Sequence, residues 1–174
     1  RQHPDAVVVT DDELPPGRTP VRTRLVTVSR RSEVVAFIAR QVAQGRQAYW
    51  VCPLIEESEA LQLQTALETF EQLTAELTQC RIGLVHGRLK TEEKQATMNA
   101  FAAGEIDVLV ATTVIEVGVD VPNASLMVVE HAERFGLSQL HQLRGRVGRG
   151  SEHSDCVLLY AAPLSQLARQ RLKI

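Results

Sequence analysis

Lysine, cysteine and aromatic residues are scarce in this chain of 174 residues, and long apolar runs are missing. The three cysteines include no Cys-x-x-Cys pair, which excludes a common zinc-binding pattern and argues against a disulfide framework. No apolar stretch approaches the roughly 20 residues that cross a bilayer. The net charge of −2 excludes an overall positive field that would attract nucleic acid. We therefore expect a cytoplasmic protein without a metal site of its own, which contacts phosphates only locally.

Two further absences concern the start of the chain and its lysines. Residues 1–5 lack the apolar core of a signal peptide, and because the chain begins with Arg1 we expect it to be a piece of a longer protein. None of the lysines Lys90, Lys94 and Lys173 follows a glycine, so the Gly-Lys-Ser/Thr loop that cradles phosphates is missing. The chain therefore cannot form a complete P-loop ATPase site by itself.

Apolar segments of strand length alternate with segments of helical periodicity along the chain. We predict strands near residues 6–10, 22–29, 47–53, 82–85, 107–111, 125–130 and 156–160, and helices near 32–45, 60–77, 91–104, 137–144 and from 165 onward. This alternation predicts a parallel, doubly wound α/β sheet. In such a sheet, the loops after the carboxyl ends of the strands form the edge at which ligands bind.

Cap residues and an apolar stripe support the helix assignments. Ser32 and Thr91 are expected to cap the starts of the first and third helices, and Gly45 and Gly104 to mark their ends. In the second helix, apolar residues recur at intervals of three and four, which predicts a stripe that faces the core. The stripe consists of Leu63, Leu67, Phe70, Leu73 and Leu77.

Residues 142–149 form the most unusual segment of the chain. They hold Arg144, Arg146 and Arg149, with a glycine beside each arginine. A guanidinium is always charged, and its planar fork of donors suits phosphate oxygens. Glycine lets the backbone turn sharply or approach a ligand closely. The pattern favours arginines directed at a polyphosphate over a surface loop that carries arginines by chance.

Residues 112–122 also follow a predicted strand and carry candidate binding residues. Thr112 and Thr113 can offer hydroxyl and backbone N–H groups to phosphates. Gly118 permits close approach, and Asp120 can accept hydrogen bonds from ribose hydroxyls or pair with an arginine. The segment is equally compatible with a tight turn into the next strand.

Two shorter segments lie at other predicted strand ends. His86 and Arg88 follow the strand at 82–85 and join the same predicted edge. Acidic residues at 11–13 follow the first strand, as in a magnesium-binding, Walker B-like element. The proline-rich break after them favours an acidic linker instead.

Together these segments resemble the second RecA-like motor domain of superfamily 2 helicases. The matching segments are 142–149 for motif VI, 111–122 for motif V, 49–53 for motif IV and 86–88 for the conserved segment that follows it. Residues 12–20, a proline-rich linker, and residues 130–150 resemble more narrowly the RecG family of branched-DNA helicases. Motif VI fits many helicases, whereas its combination with this linker is far more specific.

The resemblance implies a RecA-like domain of the P-loop NTPase type, the second helicase lobe, with a mostly parallel sheet flanked by helices. Residues 1–22 would be an interdomain linker with the strand that leads into the lobe. Residues 23–163 would be the lobe itself, and residues 164–174 the start of a truncated translocation hairpin.

The resemblance also implies individual roles. Arg146 and Arg149 would be catalytic arginines that reach the γ-phosphate of ATP, which a first motor domain absent from this sequence would hold with Mg²⁺. Nucleotide contacts are implied for Gln142, Gly118 and Asp120, and DNA contacts for His86, Arg88, Thr112 and Thr113. The role of Arg144 stays open between DNA contact and structural pairing.

The implied activity is that of an ATP-dependent DNA helicase or translocase on stalled forks and Holliday junctions, in recombination and repair. Its partners would be branched DNA and the N-terminal motor and wedge domains of the same, monomeric parent. Because the phosphate loop is missing, we expect this chain alone to be inactive. Two alternatives remain: the motor lobe of a transcription-repair coupling translocase, and a non-catalytic nucleic-acid-binding module with a decayed helicase lobe.

Overall fold

The computed structural model describes residues 7–10, 21–52, 58–112, 124–134 and 154–161. The strands are β1 (Val7–Thr10), β2 (Val21–Thr27), β3 (Ala48–Val51), β4 (Ile82–Val85), β5 (Val108–Ala111), β6 (Leu126–Val129) and β7 (Ser154–Tyr160). The helices are α1 (Arg31–Ala43), α2 (Glu59–Glu76) and α3 (Thr91–Ala102), with short 3-10 turns at Val28–Arg30 and Ala132–Arg134. The helices predicted near 137–144 and from 165 lie outside the described residues.

All seven described strands form one sheet in the order β1-β2-β7-β6-β3-β5-β4. Six of them, from β2 to β4 in that order, pair in parallel, and β1 adds an antiparallel strand beside β2. The sheet confirms the predicted RecA-like α/β lobe. Strand β2 begins at Val21, so the linker boundary predicted at residue 22 falls inside this strand.

The register places the carboxyl ends of the central strands level with one another. Val51 of β3 pairs with both Ala111 of β5 and Val129 of β6, and Val85 of β4 pairs with Ala111. The residues that follow these strands therefore lie side by side along one edge. This edge is the one at which a doubly wound sheet binds ligands.

Apolar cores lie on both faces of the sheet. On one face, Trp50 and its neighbours pack with α1 and α2. On the other face, Tyr49 meets Phe101 of α3, with ring centroids 5.0 Å apart in an edge-to-face arrangement. Because helices cover both faces, β3, β5 and β6 are buried along their whole length and are continuous apolar runs in the sequence. None of the described helices is long and apolar enough to cross a membrane.

The helix ends agree only in part with the predicted caps. Gly45 and Gly104 have φ angles of +93° and +82°, which confirms both as left-handed residues just beyond the helices. Ser32 was the wrong cap, because α1 begins at Arg31 and no side chain caps its first turn. Thr91 is the first residue of α3, where the Glu93 carboxylate accepts the backbone N–H of Lys90 at 3.1 Å.

The apolar stripe of α2 is rotated from its predicted position. The residues that the helix buries include Ala66, Thr69 and Leu73, whereas Leu67 is 40% exposed. Thr69 hydrogen-bonds to the sulfur of Cys52 beyond β3, which turns a polar position toward the sheet. Of the predicted stripe, Leu73 and Leu77 are buried and Phe70 packs against the core, as predicted. Periodicity indicated the helix correctly but not the centre of its buried face.

Leu73→Ala should destabilise the domain far more than Leu67→Ala. Leu73 is fully buried, and removing a buried leucine costs about 2–5 kcal/mol through lost burial and the cavity left behind. The truncation of Leu67 at the surface should stay within about 0.5 kcal/mol. Urea unfolding of both variants measures the difference in free energy. Equal losses would show that α2 presents its Leu67 face to the sheet.

Candidate functional site at the carboxyl edge of the sheet

Four strands deliver polar residues to the carboxyl edge of the sheet. His86 follows β4, Thr112 follows β5, Cys52 follows β3 and Glu130 follows β6. The backbone N–H of Cys52 donates to the carbonyl of Ala111, and that of Glu130 to the carbonyl of Val51, both at 2.8 Å. These hydrogen bonds extend the sheet by one residue beyond the ends of the strands. Six of the predicted site residues lie outside the described residues: Thr113, Gly118, Asp120, Gln142, Arg146 and Arg149.

His86 and Arg88 form a tight turn between β4 and α3. The backbone N–H of Arg88 donates to Nδ1 of His86 at 3.2 Å, so this ring nitrogen acts as the acceptor in the turn. The guanidinium of Arg88 is half exposed, and its Nη2 lies 3.7 Å from a carboxylate oxygen of Glu59, the first residue of α2. An exposed pair at this distance is weak, so Arg88 can exchange Glu59 for another anion.

Thr112 lies beside His86 in the row but is almost fully buried. Its hydroxyl has no hydrogen-bond partner among the described residues. In this arrangement the hydroxyl does not reach solvent. The edge therefore brings three predicted DNA-contacting residues together, two of them accessible and one enclosed.

Arg31 and Glu130 form a buried ion pair beside this edge that sequence reasoning missed. Nε of Arg31 donates to Oε1 of Glu130 at 3.2 Å, and Nε1 of Trp50 donates to the same oxygen at 3.0 Å. The guanidinium lies over the Trp50 ring, 5.2 Å from its centroid, and its Nη1 reaches Glu76 of α2 at 3.1 Å. The only local signal was a lone glutamate directly after the apolar strand at 126–129.

The turn after β6 holds a second polar pair. His131 has a φ of +49°, an uncommon conformation for this residue, and its Nδ1 lies 3.5 Å from a carboxylate oxygen of Glu133. The hydrogen bond with Glu133 raises the pKa of His131 above its ordinary value. The other oxygen of Glu133 accepts the backbone N–H of Ala161 at 3.3 Å, which ties the turn to the end of β7. Burial raises the pKa of Glu133, but its hydrogen bonds outweigh burial and the pKa is lowered.

The chemistry of the described edge is that of hydrogen bonding and charge. Burial raises the pKa of the Cys52 thiol to about 12, so the thiol stays protonated near neutral pH and is not a nucleophile. Across the described ranges, no group of three or more His, Cys, Asp and Glu side chains is placed to hold a metal ion. The edge can bind phosphates through Arg88, while the pairs at Glu130 and Glu133 fix its backbone.

A RecA-like lobe with its polar residues at this edge is the architecture of a helicase motor lobe. The family model described as "Helicase conserved C-terminal domain" matches residues 29–151. The chain belongs to this family.

Sequence relatives give a narrower comparison. The chain is 57% identical to the ATP-dependent DNA helicase RecG of Acidithiobacillus ferridurans, over 99% of this chain and 25% of that protein. It is 59% identical to RecG of Escherichia coli strain K12, over 94% of this chain and 24% of that protein. The chain thus spans about a quarter of the length of these curated relatives.

A solved structure supports the same comparison. The structure of RecG bound to a three-way DNA junction matches with a TM-score of 0.75 and 47% identity. The match covers 93% of this chain and 21% of that one. The predicted similarity to RecG is therefore confirmed in both sequence and fold.

His131→Asn should lower stability at mildly acidic pH and less so at alkaline pH. Because the pKa of His131 is raised above 6.5 on folding, its pairing with Glu133 stabilises the fold below that value and is lost as pH rises through the folded pKa. The lowered pKa of Glu133 sets the acidic limit of this stabilisation. The contribution of Glu133 to folding stability is fully present above pH 4.5 and is lost as pH falls through the folded pKa. Asparagine tolerates the positive φ, so the variant removes the titrating ring without adding backbone strain.

Urea unfolding of the two proteins at pH 5.5 and pH 8.5 measures this effect. The pair is partly exposed, so the difference at the lower pH should remain below about 1 kcal/mol. A Glu133→Gln variant serves as the control and should make the His131 substitution insensitive to pH. A stability difference that is the same at both pH values would contradict the pairing.

Proposed function

We propose that this chain is the C-terminal motor lobe of an ATP-dependent DNA helicase that acts on branched DNA in recombination and repair. The observation that carries the proposal is the 57–59% identity to RecG proteins over nearly the whole chain. The matching solved structure is that of RecG bound to a three-way DNA junction, which supports branched DNA as the substrate. These relatives favour this function over a transcription-repair coupling translocase or a decayed lobe. The protein would work in the cytoplasm.

The activity would belong to a longer protein, because this chain spans about a quarter of its relatives. A first motor domain would hold ATP and Mg²⁺, and a wedge domain would engage the junction, within one monomeric chain. Residues 1–22 would be an interdomain linker with the strand that leads into this lobe, residues 23–163 would form the lobe, and residues 164–174 would begin a translocation hairpin. Closure of the two lobes on ATP, and their opening after hydrolysis, would move the protein along DNA.

Arg146 and Arg149 would enter the cleft between the lobes and stabilise the charge that develops on the transferred γ-phosphoryl group. Gln142 would sense the nucleotide in the same cleft, and Gly118 and Asp120 would lie near the ribose. Two observations support this assignment. The motif V segment begins where β5 ends, and the motif VI segment belongs to the connection that follows β6. Because β5 and β6 both run parallel to β3, the two connections leave the sheet at its carboxyl edge.

DNA would pass along the same edge near the β4–α3 turn. Arg88 is accessible and suits backbone phosphates, and His86 shapes the turn that presents it. Thr112 and Thr113 would contribute from the head of motif V, and a contact from the enclosed Thr112 hydroxyl requires this segment to shift on binding. Such contacts are independent of sequence and weaken with salt.

Arg149→Ala in the intact protein should nearly abolish ATP hydrolysis while DNA binding is retained. Removal of an arginine finger lowers phosphoryl-transfer rates by about 10³–10⁵-fold in related systems. Steady-state ATPase assays on forked DNA measure the loss. Arg40→Ala, which truncates an exposed arginine of α1, is the matched control. Turnover within a few-fold of wild type in Arg149→Ala would show that Arg149 is not a finger.

Arg88→Ala should weaken DNA binding and reduce its salt dependence. A single phosphate contact lowers the slope of log affinity against log salt by about one, equally for all sequences. Titrations of forked DNA at several salt concentrations measure the slope. Glu59→Gln removes the competing carboxylate and should leave affinity unchanged or raise it. An unaltered slope in Arg88→Ala would place the DNA elsewhere.

A further inference from the structure

The buried Arg31–Glu130 ion pair carries a desolvation cost that works against the stability of the fold. Both side chains are largely buried, with exposures of 16% and 11%. A buried pair loses hydration on both sides, and apolar residues of similar volume often give equal or better stability. Nη2 of Arg31 is also enclosed without a hydrogen-bond partner in the described part of the chain, which is a further cost. Stability alone therefore explains this pair poorly.

The position of Glu130 suggests a different purpose. It is the residue at which the chain leaves β6, and its carboxylate is held from two elements, by Arg31 of α1 and by Trp50 of β3. Three residues later, Glu133 ties the same turn to Ala161 beyond β7. The backbone is thus fixed at two points directly ahead of the connection that carries the motif VI arginines.

We propose that Glu130, held by Arg31 and Trp50, is a positioning residue: it fixes the point at which the chain leaves β6 and enters the connection to β7, and through that connection it affects how the motif VI arginines meet the γ-phosphate. This inference rests on the proposed function. Catalysis by positioned charges is sensitive to displacement, and a shift of about 1 Å can cost a hundredfold in rate. A charged anchor suits this purpose because its hydrogen bonds have defined directions, whereas apolar packing permits small rotations.

Glu76 provides a control within the same network. It binds the other side of the Arg31 guanidinium, at 3.1 Å, but belongs to α2 and is more exposed. Glu76→Gln therefore removes a carboxylate from Arg31 without touching the exit of β6. A general effect of disturbing Arg31 would appear in both variants, whereas a positioning effect would appear at Glu130.

The test compares Glu130→Gln and Glu76→Gln in the intact protein by steady-state ATPase kinetics on forked DNA. Glutamine keeps an oxygen for Trp50 and Arg31 but removes the charge. We expect kcat to fall about tenfold or more for Glu130→Gln, with KM for ATP within about threefold of wild type. Glu76→Gln should keep kcat within about threefold. A rise in KM with kcat unchanged, or equal losses of kcat in both variants, would overturn the proposal.

A second comparison separates positioning from a diffuse structural defect. In an Arg149→Ala background, Glu130→Gln should cause a smaller further loss than in the wild-type protein, because part of its effect passes through the finger already removed. A multiplicative loss would contradict the proposal. If Arg149→Ala alone lowers turnover and Glu130→Gln does not, the positioning role fails while the proposed function stands. If Arg149→Ala has no effect, the finger assignment itself fails.

Trp50→Phe decides the matter if Glu130→Gln does not fold. This change keeps an aromatic ring near Arg31 and removes the N–H donor to Glu130, together with part of the buried ring volume. It should lower kcat by a smaller factor, again without a matching change in KM. Wild-type kcat in a folded Trp50→Phe protein would overturn the role of this anchor.

Discussion

Parallel pairing is the constraint on which the rest of the described structure depends. Because six strands run in the same direction, their carboxyl ends meet at one edge, and the residues after β3, β4, β5 and β6 become neighbours. No local preference of these residues would bring them together. The helices satisfy the same constraint, since each must return the chain to the opposite edge while covering a face of the sheet. Fold and candidate site thus have one physical origin.

Two arginines near the carboxyl edge of the sheet differ in how far they are buried. Arg88 carries its guanidinium into solvent, where an exchangeable anion is held weakly. Arg31 carries the same group into the layer between helices and sheet, where its interaction with Glu130 is screened little by water. Two arginines near one edge therefore suit opposite tasks. The accessible Arg88 suits reversible binding of an anionic ligand, and the enclosed Arg31 suits a fixed contact between α1 and the end of β6.

Local patterns were sufficient for the strands and helices of the described part of the chain, because the residues that determine each of them are close in sequence. In α2, periodicity predicted the buried Leu73 correctly but missed Ala66 and Thr69, which are buried, and included Leu67, which is exposed. The Arg31–Glu130 pair was beyond such reasoning, since 99 positions separate its members and only the strand order makes them partners. Roles for the arginines of motif VI came from resemblance to a family and not from periodicity.

The pairing of β2 with β7 has a consequence for how this lobe is made. It joins Val21 to Ser154 and runs over seven residue pairs, so this long ladder cannot form before the last described strand is made. During synthesis, β3 to β6 can assemble while β2, together with its neighbour β1, has no parallel partner. Contacts this distant in sequence form slowly, and an unpaired strand edge invites association with other chains. Until β7 is available, the lobe would thus hold a partial sheet whose β6 edge is unpaired.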